Sequence, residues 1–252
     1  MVNKTIAHLQ SAVGAWNNRV AYLGDDGDEN SHMEYADWTA SAVESTAPDI
    51  DVTRVMWDAY KRVSSTVTNT FPDVVKTINR LNNEGVLMFN YTGHGATYVL
   101  SHESVVKLSD VKAWSNTHYP LWYTAACDVM PIDGTVENIG EAAVLNPKGG
   151  AVAFIGTTRT VYASSNYTLN RNFSTLLFDC DEQGRRYSVG DALRLAKTSS
   201  GVASTTNKMQ YVLAGDPSLV FGNPSNKIVL DSINSKAVEE QLLRAGSRAT
   251  MT

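Results

Sequence analysis

Three apolar runs constrain the fold of this chain more than any other feature. They are VLMFNYTG (86–93), LWYTAAC (121–127) and GGAVAFIGTT (149–158), and a segment with helical spacing separates each run from the next. Strands that are apolar throughout are buried on both faces, as in parallel sheets covered by helices. The sequence therefore predicts an α/β fold, a three-layer αβα sandwich around a mainly parallel sheet.

Further segments continue this alternation. VAYLG (20–24) is predicted as another short strand, and YVLAGDPSLVFG (211–222) as a strand pair around a Gly-Asp-Pro turn. Ser31 and Glu34 form a predicted capping box. Helical spacing and end signals predict helices over 31–45, 71–85, 109–114, 136–147, 165–179 and 188–200.

Composition excludes several classes of protein. The chain has 252 residues and a net charge of −5, without a run rich in Lys and Arg, so it carries no electrostatic footprint for nucleic acid. No apolar run is long enough to span a membrane. The first twenty residues lack the basic start and apolar centre of a signal peptide. We interpret the sequence as a piece of a longer, exported protein.

One histidine and one cysteine follow two of the predicted strands directly. His94 comes after the run at 86–93, and Cys127 ends the run at 121–127. In an open parallel sheet, ligands bind beyond the carboxyl ends of the strands. A thiol with a nearby imidazole base is the minimal set for acyl transfer through a thioester. The alternative is a loop histidine with satisfied hydrogen bonds and a buried, inert cysteine.

Glycines flank the histidine. Gly93 and Gly95 have no Cβ, so a substrate backbone can approach closely and their N–H groups can point at a developing oxyanion. The small residues Ala125 and Ala126 keep the end of the second strand uncrowded in the same way.

The order of several motifs resembles a known family. NYTGHG, TAAC, GGAVAFIGTTRTVYAS and GDPSLV follow one another as they do in the gingipain-type cysteine peptidases, family C25, which have a caspase-like fold. The resemblance is closer to the peptidase domain of PorU-type proteins, the C-terminal signal peptidases of the type IX secretion system of Bacteroidetes. VAYLGDDGDENSHMEYAD, PLWYTAACD and NKMQYVLAGDPSLVF carry that closer resemblance, which extends from about residue 16 to about residue 224.

The resemblance implies roles for individual residues. His94 would be the general base and acid, Cys127 the nucleophile, and the N–H groups of Gly95 and Cys127 the oxyanion hole. The third catalytic residue would be acidic, and three candidates remain: Glu34, Asp26 and Asp25. The implied substrate pocket consists of Thr157, Thr158, Arg159 and Tyr162, whose alternative interpretation is a plain loop with a core tyrosine.

The resemblance also implies ligands, partners and location. No cofactor is required, although gingipain-like peptidases bind calcium, and Asp26 and Asp28 are the candidate ligands; the alternative is a solvated acidic turn. Substrates would be proteins or peptides, namely exported cargo. The chain would belong to a larger multidomain protein at the cell surface or outer membrane, with the peptidase domain over 1–224 and the start of a following β-rich domain, or a tail, over 225–252.

Two other functions compete with a cysteine endopeptidase or transpeptidase. The segment DVMPIDGTVENIG after Cys127 departs from the commoner family pattern, as does Ala96 after GHG. These departures suggest a caspase-like module that binds the C-terminal signals of cargo without cleaving them. A cytosolic thiol hydrolase of small molecules rests only on the missing signal peptide.

Overall fold

A six-stranded sheet lies at the centre of the computed structural model, which describes residues 1–10, 14–66, 69–221, 230–238, 246 and 248–251. Its helices are α1 (Val2–Gln10), α2 (Ser31–Thr46), α3 (Pro72–Glu84), α4 (Leu108–Ala113), α5 (Ile139–Leu145), α6 (Ala163–Phe178), α7 (Val189–Thr198) and α8 (Asn207–Gln210). The strands of the central sheet are β1 (Arg19–Gly24), β2 (Asp51–Met56), β5 (Met88–Thr92), β9 (Leu121–Ala125), β10 (Ala153–Thr157) and β11 (Tyr211–Ala214).

Short strands form three small sheets beside it. They are β3 (Val63–Ser64) with β4 (Asn69–Thr70), β6 (Gly95–Ala96) with β7 (Val99–Leu100) and β8 (Val106–Lys107), and β12 (Ser232–Ile233) with β13 (Lys236–Ala237). The sheet of β6, β7 and β8 begins directly after His94 and shapes the loop that follows it.

The central sheet is mainly parallel, as the apolar runs predict. Its strand order is β11-β10-β9-β5-β1-β2, and only β11 runs antiparallel to its neighbour. Strands β5, β9 and β10 are buried at every position. The three predicted apolar runs are therefore three adjacent strands, and the α/β prediction is confirmed.

Helices cover both faces of the sheet, so the fold has three layers. On one face, α2, α6 and α7 contribute Ala40, Val43, Phe173 and Ala192 to a core with the sheet. On the other face, α3, α4 and α5 form a second core with residues such as Ile78 and Val111. Neither α1 nor the edge strand β2 follows from the sequence patterns above, since their buried positions are few.

The predicted capping box of Ser31 and Glu34 is wrong. Asn30 takes the position before α2, in a left-handed conformation, and no described side chain caps the helix there. The chain enters α2 through three successive left-handed residues, Asp28, Glu29 and Asn30, so the first helical residue is displaced from the expected cap. A real capping box forms instead at α5, where Asn138 and Glu141 bond each other's backbone N–H.

The predicted second strand after the Gly-Asp-Pro turn is also wrong within the described residues. After β11, Asp216 closes a tight turn by accepting hydrogen bonds from the backbone and hydroxyl of Ser218. The carbonyls of Pro217 and Leu219 then accept from the amides of Gly190 and Val189 at the start of α7. These bonds to a helix end take the place of a strand ladder.

A buried polar cluster ties β5 to α6. Asn90 and Asn170 exchange side-chain hydrogen bonds of 2.7 and 2.8 Å, and Asn90 also donates to Ser174 at 3.1 Å. All three side chains are buried. Because a buried amide without partners is costly, the cluster fixes the register between this helix and the strand that leads to His94.

We expect Asn170→Ala to lower the free energy of unfolding by about 2 kcal/mol, since it removes both hydrogen bonds to Asn90 and leaves the buried side-chain oxygen of Asn90 without its donor. Denaturant unfolding followed by circular dichroism measures this change. Arg171→Ala, at an exposed position of the same helix, is the matched control and should change stability by less than about 0.5 kcal/mol. Equal stabilities of the two variants would contradict the expectation.

The predicted boundary near residue 224 stays a prediction, because residues 222–229 and most of 239–252 lie outside the described part of the chain. Between these two ranges, β12 and β13 form a short antiparallel hairpin, and Ile233 also forms an isolated β-bridge with Met251. Among the described residues, no helix is long and apolar enough to cross a membrane.

Candidate active site

The register of β5 and β9 positions His94 and Cys127. Thr92 pairs with Ala125 in this parallel ladder, and the N–H of Gly93 donates to the carbonyl of Ala125 just beyond it. His94 and Cys127 each follow the last paired residue of their strand by two positions. The imidazole and the thiol therefore follow the carboxyl ends of adjacent strands, where an open parallel sheet presents its ligand-binding edge.

Asp25 organises the backbone before His94. It follows β1, the other neighbour of β5, and its side chain is buried. One carboxylate oxygen accepts from the N–H of Gly27 at 2.7 Å; the other accepts from the Tyr91 hydroxyl at 3.1 Å and from the N–H of His94 at 3.3 Å. Asp25 thus holds the main chain of His94.

Asp28 is the acidic residue nearest to the imidazole of His94. Its Oδ1 lies 3.3 Å from His94 Nε2, and its Oδ2 lies 3.3 Å from Nε2 of the buried His32. Gly27 allows this approach, because a Cβ there would lie 2.8 Å from His94 Cδ2. Burial holds the pKa of His32 below its ordinary value, and the nearby His94 lowers it further, against the opposing charges of Asp25 and Asp28.

The half-buried thiol of Cys127 lies against the chain that follows β10. Its Sγ is 3.4 Å from both the N–H and the carbonyl oxygen of Val161. Burial raises the pKa of the Tyr211 phenol above its ordinary value, and the charge of an ionised Cys127 raises it further, so this ring lies within electrostatic reach of the thiol.

The loop after Cys127 is fixed from both sides. Asp128 has a left-handed backbone, its N–H donates to the carbonyl of Arg159, and its carboxylate accepts from the hydroxyl of Thr160. On the other side, Gly95 packs so closely that an added Cβ would lie 2.8 Å from Ala126 Cβ and 3.1 Å from the Cys127 carbonyl oxygen. The backbone of Gly95 therefore lies directly against the loop that contains Cys127.

The four predicted pocket residues take different positions. Thr157 is fully buried, and its hydroxyl donates to the carbonyl of Ala126 at 2.5 Å, so it supports the strand end before Cys127 and does not reach solvent. Thr158 and Arg159 line an open cleft of about 510 Å³ with Gln210. Tyr162 is 70% exposed at the start of α6.

An ion pair crosses this cleft. The guanidinium of Arg159 binds the Asp133 carboxylate with two hydrogen bonds, of 3.0 and 2.5 Å. The pair holds the pKa of Asp133 below its ordinary value. Asp133 belongs to the segment DVMPIDGTVENIG after Cys127, so this segment forms part of the wall of the cleft.

The remaining acidic candidates lie elsewhere. Glu34 is exposed on α2, and the described residues show no contact between it and His94. Asp26 groups with Asp25 and Glu103, and Arg62 lies 3.8 Å from it. Burial raises the pKa of Asp26, and the charges of Glu103 and Asp25 raise it further. Asp26 and Asp28 thus belong to separate groups, and calcium binding by the two stays a prediction.

Sequence reasoning missed His32 as part of this site and assigned Asp28 only to calcium. His32 lies on a helix with apolar spacing, so the pattern places it among core positions. The spacing of Asp28 and His32 by four residues is a signal for a shared site, but the left-handed turn between Asp28 and Asn30 removes the helical geometry that makes such spacing informative.

Comparison with known proteins identifies the family. The sequence profile of peptidase family C25 matches residues 1–221. No curated protein matches the sequence.

Solved structures show the same fold. The crystal structure of the Arg-specific cysteine proteinase gingipain R (RgpB) superposes with a TM-score of 0.64 at 16% identity, over 86% of this chain and 51% of that one. The complex of the Porphyromonas gingivalis RgpB pro- and mature domains gives 0.64 at 18% identity, over 87% and 52%. A Saccharomyces cerevisiae separase–securin complex gives 0.51 at 13% identity, over 79% and 12%.

This chain spans about half the length of the solved gingipain chains. At these identities the superpositions show the caspase-like fold, and the match of the family profile over most of the sequence shows the family. The gingipain-type resemblance of the sequence is therefore confirmed: the chain belongs to peptidase family C25.

Proposed function

We propose that this chain is a cysteine peptidase with Cys127 as its nucleophile and His94 as its general base and acid. The observation that carries the proposal is the parallel pairing of β5 with β9, because His94 and Cys127 each follow the carboxyl end of one of these adjacent strands in a C25 chain. A thiol and an imidazole in this arrangement suffice for acyl transfer.

The first half of the reaction forms a thioester. His94 takes the proton of Cys127, and Sγ attacks the carbonyl carbon of the scissile peptide bond. The oxyanion that forms accepts hydrogen bonds from the N–H groups of Gly95 and Cys127. These residues belong to two loops that pack against each other. The tetrahedral adduct collapses as His94 gives its proton to the leaving amine, which departs with the C–N bond electrons.

The second half resolves the thioester. His94 takes a proton from water or from an incoming amine, whose attack forms a new C–O or C–N bond. The C–S bond breaks, the thiol regains its proton, and a carboxylic acid or a new amide is released. Attack first requires the S–H of Cys127 to turn from the Val161 carbonyl toward His94.

The substrates we propose are exported proteins, as for a signal peptidase of the type IX secretion kind, with the chain acting at the cell surface or outer membrane as part of a larger protein. Support comes from the motif order over 16–224 and from the open cleft beside Thr158, which can accept an extended peptide. The open edge of the sheet allows either water or an amine to attack the thioester.

A mixed peptide library, read by mass spectrometry, tests the proposal. We expect cuts that disappear after treatment with iodoacetamide, with the alkyl label on Cys127. Repeating the assay with added glycine amide distinguishes hydrolysis from transfer, since transfer joins the amine to the new C-terminus. Cuts that persist after complete alkylation of Cys127 would rule out the mechanism.

A peptide-binding module without catalysis is the second candidate. It is favoured by the contact of the thiol with both the N–H and the carbonyl of Val161, which engages Sγ before any substrate arrives. This candidate predicts slow alkylation of Cys127 and equal peptide affinity before and after the modification. Fluorescence anisotropy with a labelled peptide from the library measures that affinity.

Asp28 is the acidic residue we propose to orient His94. We expect Asp28→Asn to lower kcat/KM by about three- to tenfold, a modest loss because the carboxylate is 56% exposed and exposed ion pairs contribute about 1 kcal/mol or less. Glu34→Gln is the matched control on α2 and should retain the activity of the parent chain. A larger loss in Glu34→Gln than in Asp28→Asn would reverse the assignment.

A further inference from the structure

Two imidazoles and one carboxylate converge at the edge of the proposed active site. Asp28, His32 and His94 each offer one ligand atom, and these atoms all lie within 4.8 Å of one another. The two contacts to Asp28 both measure 3.3 Å. Oδ1 of Asp28 makes the contact with His94, and Oδ2 makes the contact with His32. Two ligand atoms on a zinc ion with bonds of about 2.0–2.1 Å are about 3.3 Å apart, so a carboxylate that binds through both oxygens can share one ion with the two imidazoles.

His32 supplies the second, independent observation. Its side chain is 95% buried, and neither ring nitrogen has an aligned hydrogen-bond partner among the described residues. The 3.3 Å contact with Asp28 has the distance of a hydrogen bond but not its alignment. A buried ring nitrogen without a partner is unfavourable, and a metal ion would give Nε2 of His32 a partner.

We propose that Asp28, His32 and His94 bind a divalent transition-metal ion of the zinc type, and that this ion reversibly inhibits the peptidase. Imidazole and carboxylate ligands suit zinc, and three protein ligands leave a fourth position for water. The site differs from the predicted calcium ligands, since Asp26 lies in a separate group and calcium prefers oxygen ligands.

The inhibition follows from the nitrogen lone pair with which the His94 ring accepts a proton. This part of the inference rests on the proposed role of His94 as the general base. A neutral imidazole has one nitrogen with a free lone pair and one with a proton. A metal ion at Nε2 displaces the proton that this nitrogen otherwise directs at Asp28, so the neutral ring carries its one proton on Nδ1. The ring then cannot accept the proton of Cys127, and removal of the ion restores the base without any change in covalent bonds.

Cobalt binding tests the site without any need for activity. The parent for this test is the chain with Cys127→Ala and Cys180→Ala, which removes both thiols as alternative ligands. We expect a visible absorption band on adding Co²⁺ and its loss on adding excess Zn²⁺. His32→Gln should weaken Co²⁺ binding at least tenfold, and Asp28→Asn, at an exposed position, provides a second variant that does not disturb the core.

His102→Gln is the matched control, because His102 stacks on the His94 ring with centroids 4.2 Å apart but is not among the three ligands. It should bind Co²⁺ within twofold of the parent. No band in the parent, or an unchanged affinity in both His32→Gln and Asp28→Asn, would overturn the metal site. Thermal melting by circular dichroism confirms that the variants are folded.

A second arm tests inhibition on the chain with its cysteines intact. Zn²⁺ should suppress peptide cleavage, a chelator should restore it, and His32→Gln should need at least tenfold more Zn²⁺ for the same suppression. Equal sensitivity of His32→Gln and the unmutated chain would overturn the inhibitory role. A chain that binds Co²⁺ through His32 but cleaves no peptide would uphold the metal site and count against the peptidase.

Discussion

Replacing Cys127 by alanine is expected to lower kcat/KM by at least about 10³-fold while leaving the fold unchanged. The expected loss is this large because no other described side chain can form the thioester at the carboxyl ends of β5 and β9. Among the described residues, the hydrogen bonds of the thiol are two long ones with Val161, and the side chain packs at the margin of one core. Alanine keeps the Cβ atom, so the substitution removes only the contacts of the sulfur. Cleavage of a fluorogenic peptide chosen from the library measures the change.

Cys180→Ala is the matched control for this prediction. Cys180 is the other cysteine of the chain, and it is exposed, outside the site. We expect its variant to retain full activity and its single thiol, now Cys127, to account for all inactivation by iodoacetamide. Substantial cleavage by a folded Cys127→Ala variant would rule out the proposed mechanism. Loss of activity in Cys180→Ala alone would instead identify Cys180 as the nucleophile.

The sequence was sufficient for the parts of this fold that depend on periodicity. Three apolar runs predicted three buried strands, and their ends placed His94 and Cys127 on one edge of the sheet, because strand burial is a local property that a sequence pattern records. The pattern left open whether these strands are neighbours, which the strand order of the sheet shows them to be. The helices at 71–85 and 165–179 followed for the same reason. Edge strand β2 did not, since a strand with partial exposure lacks a continuous apolar run.

Contacts between loops are the part that the sequence did not supply. The position of Asp28 over two imidazoles depends on three left-handed residues in succession, and Glu29 among them is a residue type that rarely adopts this conformation. His32 has the spacing of a core residue, so its role in the site depends on which loop folds over it. The inward position of Thr157 is likewise a contact between neighbouring strands, since its hydroxyl donates to the Ala126 carbonyl at the end of β9.

Adding a methyl group at Gly95 is expected to lower kcat/KM by about 10²-fold. The Cβ of Gly95→Ala would lie 2.8 Å from both Ala126 Cβ and Val129 Cγ2, and 3.1 Å from the Cys127 carbonyl oxygen. Relief of these contacts requires the loop of Cys127 to move away from the loop of His94. A displacement of about 1 Å between reacting groups costs on the order of 10²-fold in rate.

Gly184→Ala distinguishes this local effect from a general cost of removing a glycine. Gly184 has a left-handed backbone with a φ of 73°, but no described atom lies within 4 Å of an added Cβ. Its variant should lose about 1 kcal/mol of stability through backbone strain and keep the kcat/KM of the parent. Since Gly95 has no such backbone strain, Gly95→Ala should show the reverse, with activity lost and thiol alkylation by iodoacetamide still observed. Equal activity of the two glycine variants would mean that the loops of His94 and Cys127 can separate without cost, and the oxyanion role of Gly95 would have to be abandoned.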